Sequence, residues 1–328
     1  MHTLVSKTLS RVLLTIFLSF GLFAGGIPQL APPTPETEIS PGFPLEVVDD
    51  LGTSVRIPTK PRAIVSLSLF SDEVLMSILD PERFAAVSTL SQSETYSNVA
   101  QIAQGITPVI EFSVETVVSL YPDLVIAANW SEADKIAQVR QAGIPVFQID
   151  TPFTLDGIRA GIRRLGRLTG EVQAAESLLD QMNDDIDRLD EKIESIPLSM
   201  RVNALDYNSW GSASGAGSTW NLILSLAGIE NAVGQLEEGD FGQVPLSKEV
   251  LISLDPEVLF LPSYIWGEEN GAQAFYNQVL GDPALQDLRA IQQEKAYIFP
   301  ESLKGTYSHF LVKAAETAAR LAYPSYFE

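Results

Sequence analysis

The sequence predicts an α/β protein built from two similar lobes with mainly parallel sheets, joined by one long α-helix. Three observations predict it. Apolar runs of strand length alternate with stretches of helical periodicity, the pattern of a parallel sheet covered on both faces. The segment Ser113-Val114-Glu115-Thr116-Val117-Val118-Ser119-Leu120-Tyr121-Pro122-Asp123-Leu124-Val125 returns as Ser247-Lys248-Glu249-Val250-Leu251-Ile252-Ser253-Leu254-Asp255-Pro256-Glu257-Val258-Leu259, so one helix-to-strand unit is used twice. Between the copies, residues 171–196 carry a single apolar stripe at Ala175, Leu178, Leu179, Met182, Ile186, Leu189 and Ile193. Roughly 25 residues at about 1.5 Å each span about 37 Å, enough to cross behind two lobes.

The elements follow in order. Residues 1–26 have the layout of a secretory signal peptide: Lys7 and Arg11, an apolar run from Val12 to Phe23, then small residues Ala24-Gly25-Gly26, with Ala31 as a second possible end. The apolar core is short for a permanent span, although an uncleaved anchor is the alternative. Residues 27–43, rich in Pro, read as a flexible tether. The N-terminal lobe, 44–170, opens with a hairpin, Leu45-Glu46-Val47-Val48 and Ser54-Val55-Arg56-Ile57 about the turn at 49–52. Strands then fall at 63–67, 85–88, 124–127 and 146–149, with a helix through Val74-Leu79 after the first. The C-terminal lobe, 197–328, repeats the plan with strands at 202–205, 258–261 and 296–299. In each copy of the repeat a Ser stands at the N-cap, an acidic residue follows two places on, and a Pro closes the helix before an apolar strand.

Composition narrows the function. The net charge of -21, from 42 acidic and 21 basic residues, opposes nucleic acid and anionic membrane as partners. Cysteine is absent, which removes disulfides, thiolate metal sites and lipid attachment at a lipoprotein cysteine, so export is expected to give a soluble product. The two histidines, His2 and His309, are too few for a receptor that binds a metal through several imidazoles. A Ser-His-Asp hydrolase would rest on His309 alone, and that residue reads as a cap or surface group at the start of a terminal helix. No catalytic set, metal site or cofactor is expected.

This arrangement resembles the periplasmic substrate-binding proteins of the iron-siderophore and cobalamin family, which deliver chelates to an ABC importer. The residues carrying the likeness are Pro61-Arg62-Ala63-Ile64-Val65-Ser66-Leu67, Glu115 with Tyr121-Pro122-Asp123-Leu124-Val125-Ile126, the helix bounded by Gly170, Trp220 to Ala232, and Glu249 with Asp255-Pro256-Glu257-Val258. The resemblance implies two Rossmann-like lobes of the class III arrangement, a small hinge motion and a monomer. It also implies that Glu115 and Glu249, one on each lobe, pair with arginines of a membrane-embedded permease. An acidic residue in a first helical turn is also favoured by the helix dipole, by about 0.3–1 kcal/mol, with no partner required.

In open α/β sheets the ligand lies beyond the carboxyl ends of the strands. The loops there carry Leu69, Phe70, Asn129, Trp130, Thr151, Phe153, Tyr207, Asn208, Trp210, Tyr264, Trp266, Lys304 and Tyr307. Trp130, Tyr207, Trp210, Tyr264, Trp266 and Lys304 are the candidate ligand-binding residues, because flat rings bury much area while losing few rotamers. Phe70 and Phe153 are equally suited to the core. These loops hold no Arg, the residue that suits paired anionic oxygens, so a neutral or weakly charged chelate such as a ferric hydroxamate or a corrinoid is easier to accommodate than a catecholate or citrate. An arginine from elsewhere, such as Arg289, could still fold into the cleft. Gly215-Ala216-Gly217 lacks the Lys of a phosphate loop and reads as a flexible loop opening a helix at Ser218. The expected function is capture of a metal chelate, a ferric siderophore or cobalamin-like compound, outside the membrane. The alternatives are a ligand sensor, or an enzyme on the same scaffold using carboxylates such as Asp150, Glu268 and Glu269.

Overall fold

The computed structural model describes residues 42–327. The signal segment, His2 and all but the end of the tether lie outside the described residues. Phe43, assigned to the tether, packs against the core.

Alternating burial makes the first two strands, β1 (Leu45–Val48) and β2 (Ser54–Ile57), an antiparallel hairpin as the sequence predicts. The apolar runs that follow become β3 (Ile64–Leu67), then helix α1 (Leu69–Ile78), β4 (Phe84–Ser88), α2 (Ala100–Ala103), β5 (Val109–Ile110), α3 (Val114–Ser119), β6 (Leu124–Ala128), α4 (Ala133–Gln141), β7 (Val146–Ile149) and α5 (Leu155–Thr169). The strands pair in parallel in the order β5-β4-β3-β6-β7. Residues of β3, β6 and β7 are buried throughout, as strands covered on both faces require.

Gly170 ends α5 in the left-handed conformation, φ 72°, which glycine adopts without a Cβ penalty. The chain then enters α6 (Val172–Glu194), 23 residues long and about 35 Å from end to end. Its stripe of Ala175, Leu179, Met182, Ile186, Leu189 and Ile193 is buried in one continuous cluster with apolar residues of both lobes.

The second lobe continues with β8 (Asn203–Asp206), β9 (Ser212–Ser214), α7 (Thr219–Leu226), β10 (Glu230–Asn231), β11 (Gln243–Pro245), α8 (Lys248–Leu254), β12 (Val258–Pro262), α9 (Gly271–Gly281), α10 (Arg289–Gln292), β13 (Ala296–Phe299), α11 (Glu301–Lys304) and α12 (Leu311–Ala322). Its main sheet is parallel, β10-β8-β12-β13. The short β5, β10 and α2, and the antiparallel pair β9–β11, have no counterpart in the sequence reading.

Both copies of the internal repeat form the same capped helix and strand anchor. Ser113 Oγ accepts the Thr116 N–H and Ser247 Oγ the Val250 N–H, both at 3.3 Å. Each helix closes on a left-handed residue before the Pro, Tyr121 at φ 48° and Asp255 at φ 42°. The carboxylate after each Pro then holds the amide that starts the neighbouring central strand: Asp123 accepts from Arg62 and Ala63, and Glu257 from Asn203. The two lobes are thus pinned by the same device at the amino ends of their sheets, leaving the carboxyl ends open.

Candidate functional site

At those carboxyl ends a cavity of about 390 Å³ lies between the lobes. Lobe one contributes Phe153; lobe two contributes Trp220, Glu238, Phe241, Glu301, Lys304 and Tyr307 among others. Phe153 and Tyr307 meet edge to face across the gap, ring centres 5.6 Å apart, and Tyr96 meets Tyr264 at the same distance. A larger groove of about 830 Å³ lies behind lobe one between the hairpin and α5, away from the strand ends. Two of its cations are already engaged there, Arg163 by Glu176 and Arg164 by Asp50.

The predicted aromatic residues divide. Trp130, Trp210 and Trp266 stand exposed on the loops after β6, β8 and β12, at 74, 85 and 78%. Tyr264 lines a separate recess with Glu268 on lobe two. Tyr207 packs beside Phe275 at 5.9 Å and leans on the core of lobe two. Phe70 is core, its ring lying where a Cβ on Gly161 would be only 2.5 Å away, while Phe153 is exposed to the cleft.

Lys304 lines the cavity, but its ammonium is not free. It meets Asp206 Oδ2 at 2.8 Å, and Asp206 is buried, also accepting the Ser214 amide and hydroxyl. Burial works against the lysine's charge, yet Asp206 and Glu301 outweigh it and hold the group above the ordinary lysine value. Burial pushes Glu301 up, with Lys304 opposing. Arg289 does not reach the cleft: it is tied to Asp255 at 2.8 Å and Glu257 at 3.1 Å, at the opposite, amino end of β12. Among the described residues no arginine lines the interlobe cavity.

Below the cavity the lobes are joined by a polar seam that sequence reasoning missed. Glu73 on α1 accepts the Asn98 amide and side chain through Oε1, and the Thr306 and Ser308 hydroxyls of lobe two through Oε2. Asn98 also donates to the Ser302 carbonyl. His309 belongs to this seam rather than to the surface. Its Nε2 lies 3.3 Å from Ser77 Oγ, and burial pushes it down to about 4. Glu238 and Phe241 were missed as well, because they lie away from the loops that directly follow the strands read from the sequence; Glu301 stands in such a loop, two residues after β13, but nothing in the sequence marks its carboxylate as buried.

Glu115 and Glu249 occupy matched places at the starts of α3 and α8, fully exposed. Ser113 Oγ donates to Glu115 Oε2 at 3.0 Å. Glu115 is held below the usual carboxylate range by its own amide and Ser113, and Glu249 by Ser247 and its own amide.

Against known proteins, the model of the family described as periplasmic binding protein matches residues 64–303. The chain belongs to the periplasmic binding protein family. Among the relatives of this periplasmic binding protein, a cobalamin-binding protein of Halobacterium salinarum is 28% identical over 220 residues, which are 66% of this chain and 58% of that protein. The chain thus spans under two thirds of that relative's length. A Bacillus subtilis protein, the uncharacterized ABC transporter substrate-binding lipoprotein YvrC, is 23% identical over 87% of this chain and 88% of its own. In structure, the molybdate-binding protein MolA of Haemophilus influenzae superposes with a TM-score of 0.70 at 18% identity, covering 86% of this chain and 92% of MolA. The fold is therefore the two-lobed class III arrangement. Among the described residues no helix is long and apolar enough to cross a membrane.

Proposed function

We propose that this periplasmic binding protein captures a bulky metal chelate of low net charge in the cleft between its lobes and delivers it to an ABC importer. The carrying observation is the cavity's chemistry: aromatic residues meet from both lobes, no arginine among the described residues lines it, and its lysine is already neutralised by Asp206. A strongly anionic chelate would need an unpaired guanidinium or ammonium there, whereas a corrinoid or ferric hydroxamate presents mostly apolar and neutral surface. The name of the Halobacterium relative favours a corrinoid.

In this reading the working protein is a soluble, non-lipidated monomer released by cleavage of the 1–26 segment. Lobes 44–170 and 197–328 are joined by the helix at 171–196, Trp130, Trp210, Tyr264 and Trp266 close on the ligand's rim, and Glu115 and Glu249 dock on the permease. The chain binds and releases; the transport energy comes from the importer's ATPase.

The test is a fluorescence titration of the mature chain with cobalamin, haem, ferric hydroxamate, ferric catecholate and ferric citrate, corrected for ligand absorption. Saturable quenching by cobalamin or the hydroxamate at micromolar or lower concentration is expected. Tight binding of citrate or catecholate alone would overturn the charge argument.

A further inference from the structure

The loop at 215–218 that opens α7 already holds an anion, and the anion is the chain's own. The Gly217 amide donates to Glu238 Oε1 at 2.7 Å. A Cβ on Gly215 would lie 2.6 Å from the same carboxylate oxygen, and one on Gly217 3.1 Å from its partner oxygen, so only glycines admit the carboxylate this closely. Amides at the start of a helix, with its dipole behind them, favour such a group. Ser218 caps the eight-residue helix by accepting the Asn221 amide, which leaves the Gly217 amide pointing at the carboxylate.

A second, independent observation points to a ligand here. Trp220 lines the same cavity, is 2% exposed, and its indole N–H has no acceptor among the described residues. A buried donor without a partner costs about 1–3 kcal/mol, which an acceptor arriving through the cavity would relieve. The loop that brings Glu238 in is itself under tension. Phe241 is 99% exposed at φ 56°, a left-handed conformation rare for an aromatic residue, and the loop carries further carboxylates at Glu237 and Asp240.

We propose that the Gly215–Gly217 loop is an oxyanion subsite of the cleft, occupied by Glu238 when no ligand is bound, and that an anionic oxygen group on the ligand displaces Glu238. Displacement carries the acidic loop at 236–242 away from the incoming charge. The inference rests on the cleft being the ligand site, and it adds that a ligand of low net charge still bears one carboxylate or phosphate group.

Two-dimensional ¹H–¹⁵N spectra of the whole mature chain test this without any chelate, so the outcome is independent of the fluorescence titration. Wild type and Glu238→Ala are titrated with inorganic phosphate and, separately, with acetate, at ionic strength held constant with chloride. The Gly217 amide and Trp220 indole signals are followed. Saturable shifts of both are expected, at concentrations at least tenfold lower in Glu238→Ala than in wild type, and the more effective probe identifies the anionic group. Absence of saturable shifts in the variant, or equal concentration dependence in the two proteins, overturns the proposal. Should Glu238→Ala fail to fold, wild type in high phosphate must show the same two shifts, and their absence overturns it too.

Discussion

Glu73 in the first lobe accepts a 2.6 Å hydrogen bond from Ser308 in the second, 235 positions later in the chain. With Thr306 and the two Asn98 donors, this one buried carboxylate is the point where four hydrogen bonds from two lobes converge. Burial raises it despite the donors. Replacement by alanine leaves buried donors unpaired, each costing about 1–3 kcal/mol. Glu73→Ala should therefore lose about 3 kcal/mol or more in urea denaturation, and a Glu73→Gln, Ser308→Ala cycle should show coupling above about 0.5 kcal/mol. Additive single effects would mean that the seam does not act as a unit.

Asp72, its neighbour, is fully buried, and one of its oxygens has no partner among the described residues while the other accepts Ser88 Oγ at 2.5 Å. Burial raises it from 3.8 to about 7. Because the folded value exceeds the unfolded one, its contribution to stability is complete below about pH 4 and is lost as pH rises through about 7. Asp72→Asn, neutral at every pH, should match wild type near pH 4 and exceed it at pH 8 by up to about 4 kcal/mol, three units at about 1.36 kcal/mol each. Thermal melts at the two pH values decide it, and a pH-independent difference would exclude the linkage.

These acidic residues also show where sequence reading stops. The repeat was legible because each step has a local cause: Ser113 and Ser247 cap, Tyr121-Pro122 and Asp255-Pro256 terminate, and β6 and β12 are continuous apolar runs. Ser71-Asp72-Glu73, by contrast, is a short polar run in the sequence, and only tertiary contacts bury it: Ser71 meets Ser66, Asp72 meets Ser88, and Glu73 meets Thr306 and Ser308 from the segment before α12. The Ser212–Ser214 strand is too short and polar to announce itself. Glu238 reaches Gly217 from 21 positions away, a distance that no motif encodes. Arg289 looked available because nothing in the sequence tells that Asp255 and Glu257 claim it.

Lys304 and Asp206 form the buried ion pair at the cavity wall, 2.8 Å apart. Removing one partner strands the other, which typically costs about 3–5 kcal/mol, whereas removing both charges costs far less. Lys304→Met should be strongly destabilised, and adding Asp206→Asn should recover most of the loss. If Lys304 instead served the ligand as a free cation, Lys304→Met would melt near wild type while losing affinity.

Glu115 and Glu249 are a different case, exposed carboxylates kept ionised by their own amides and the capping serines. Neither contributes to the cavity lining, so the double change Glu115→Ala, Glu249→Ala should leave chelate affinity within about twofold. Delivery should fall much further, because rim charges that meet a complementary partner govern encounter and register. Transport into vesicles carrying the importer, measured at low and moderate salt, separates the two roles. Wild-type uptake by the double variant would reduce both residues to good helix starts. Loss of uptake that high salt reproduces in the unaltered protein would mark them as the charges by which the lobes dock.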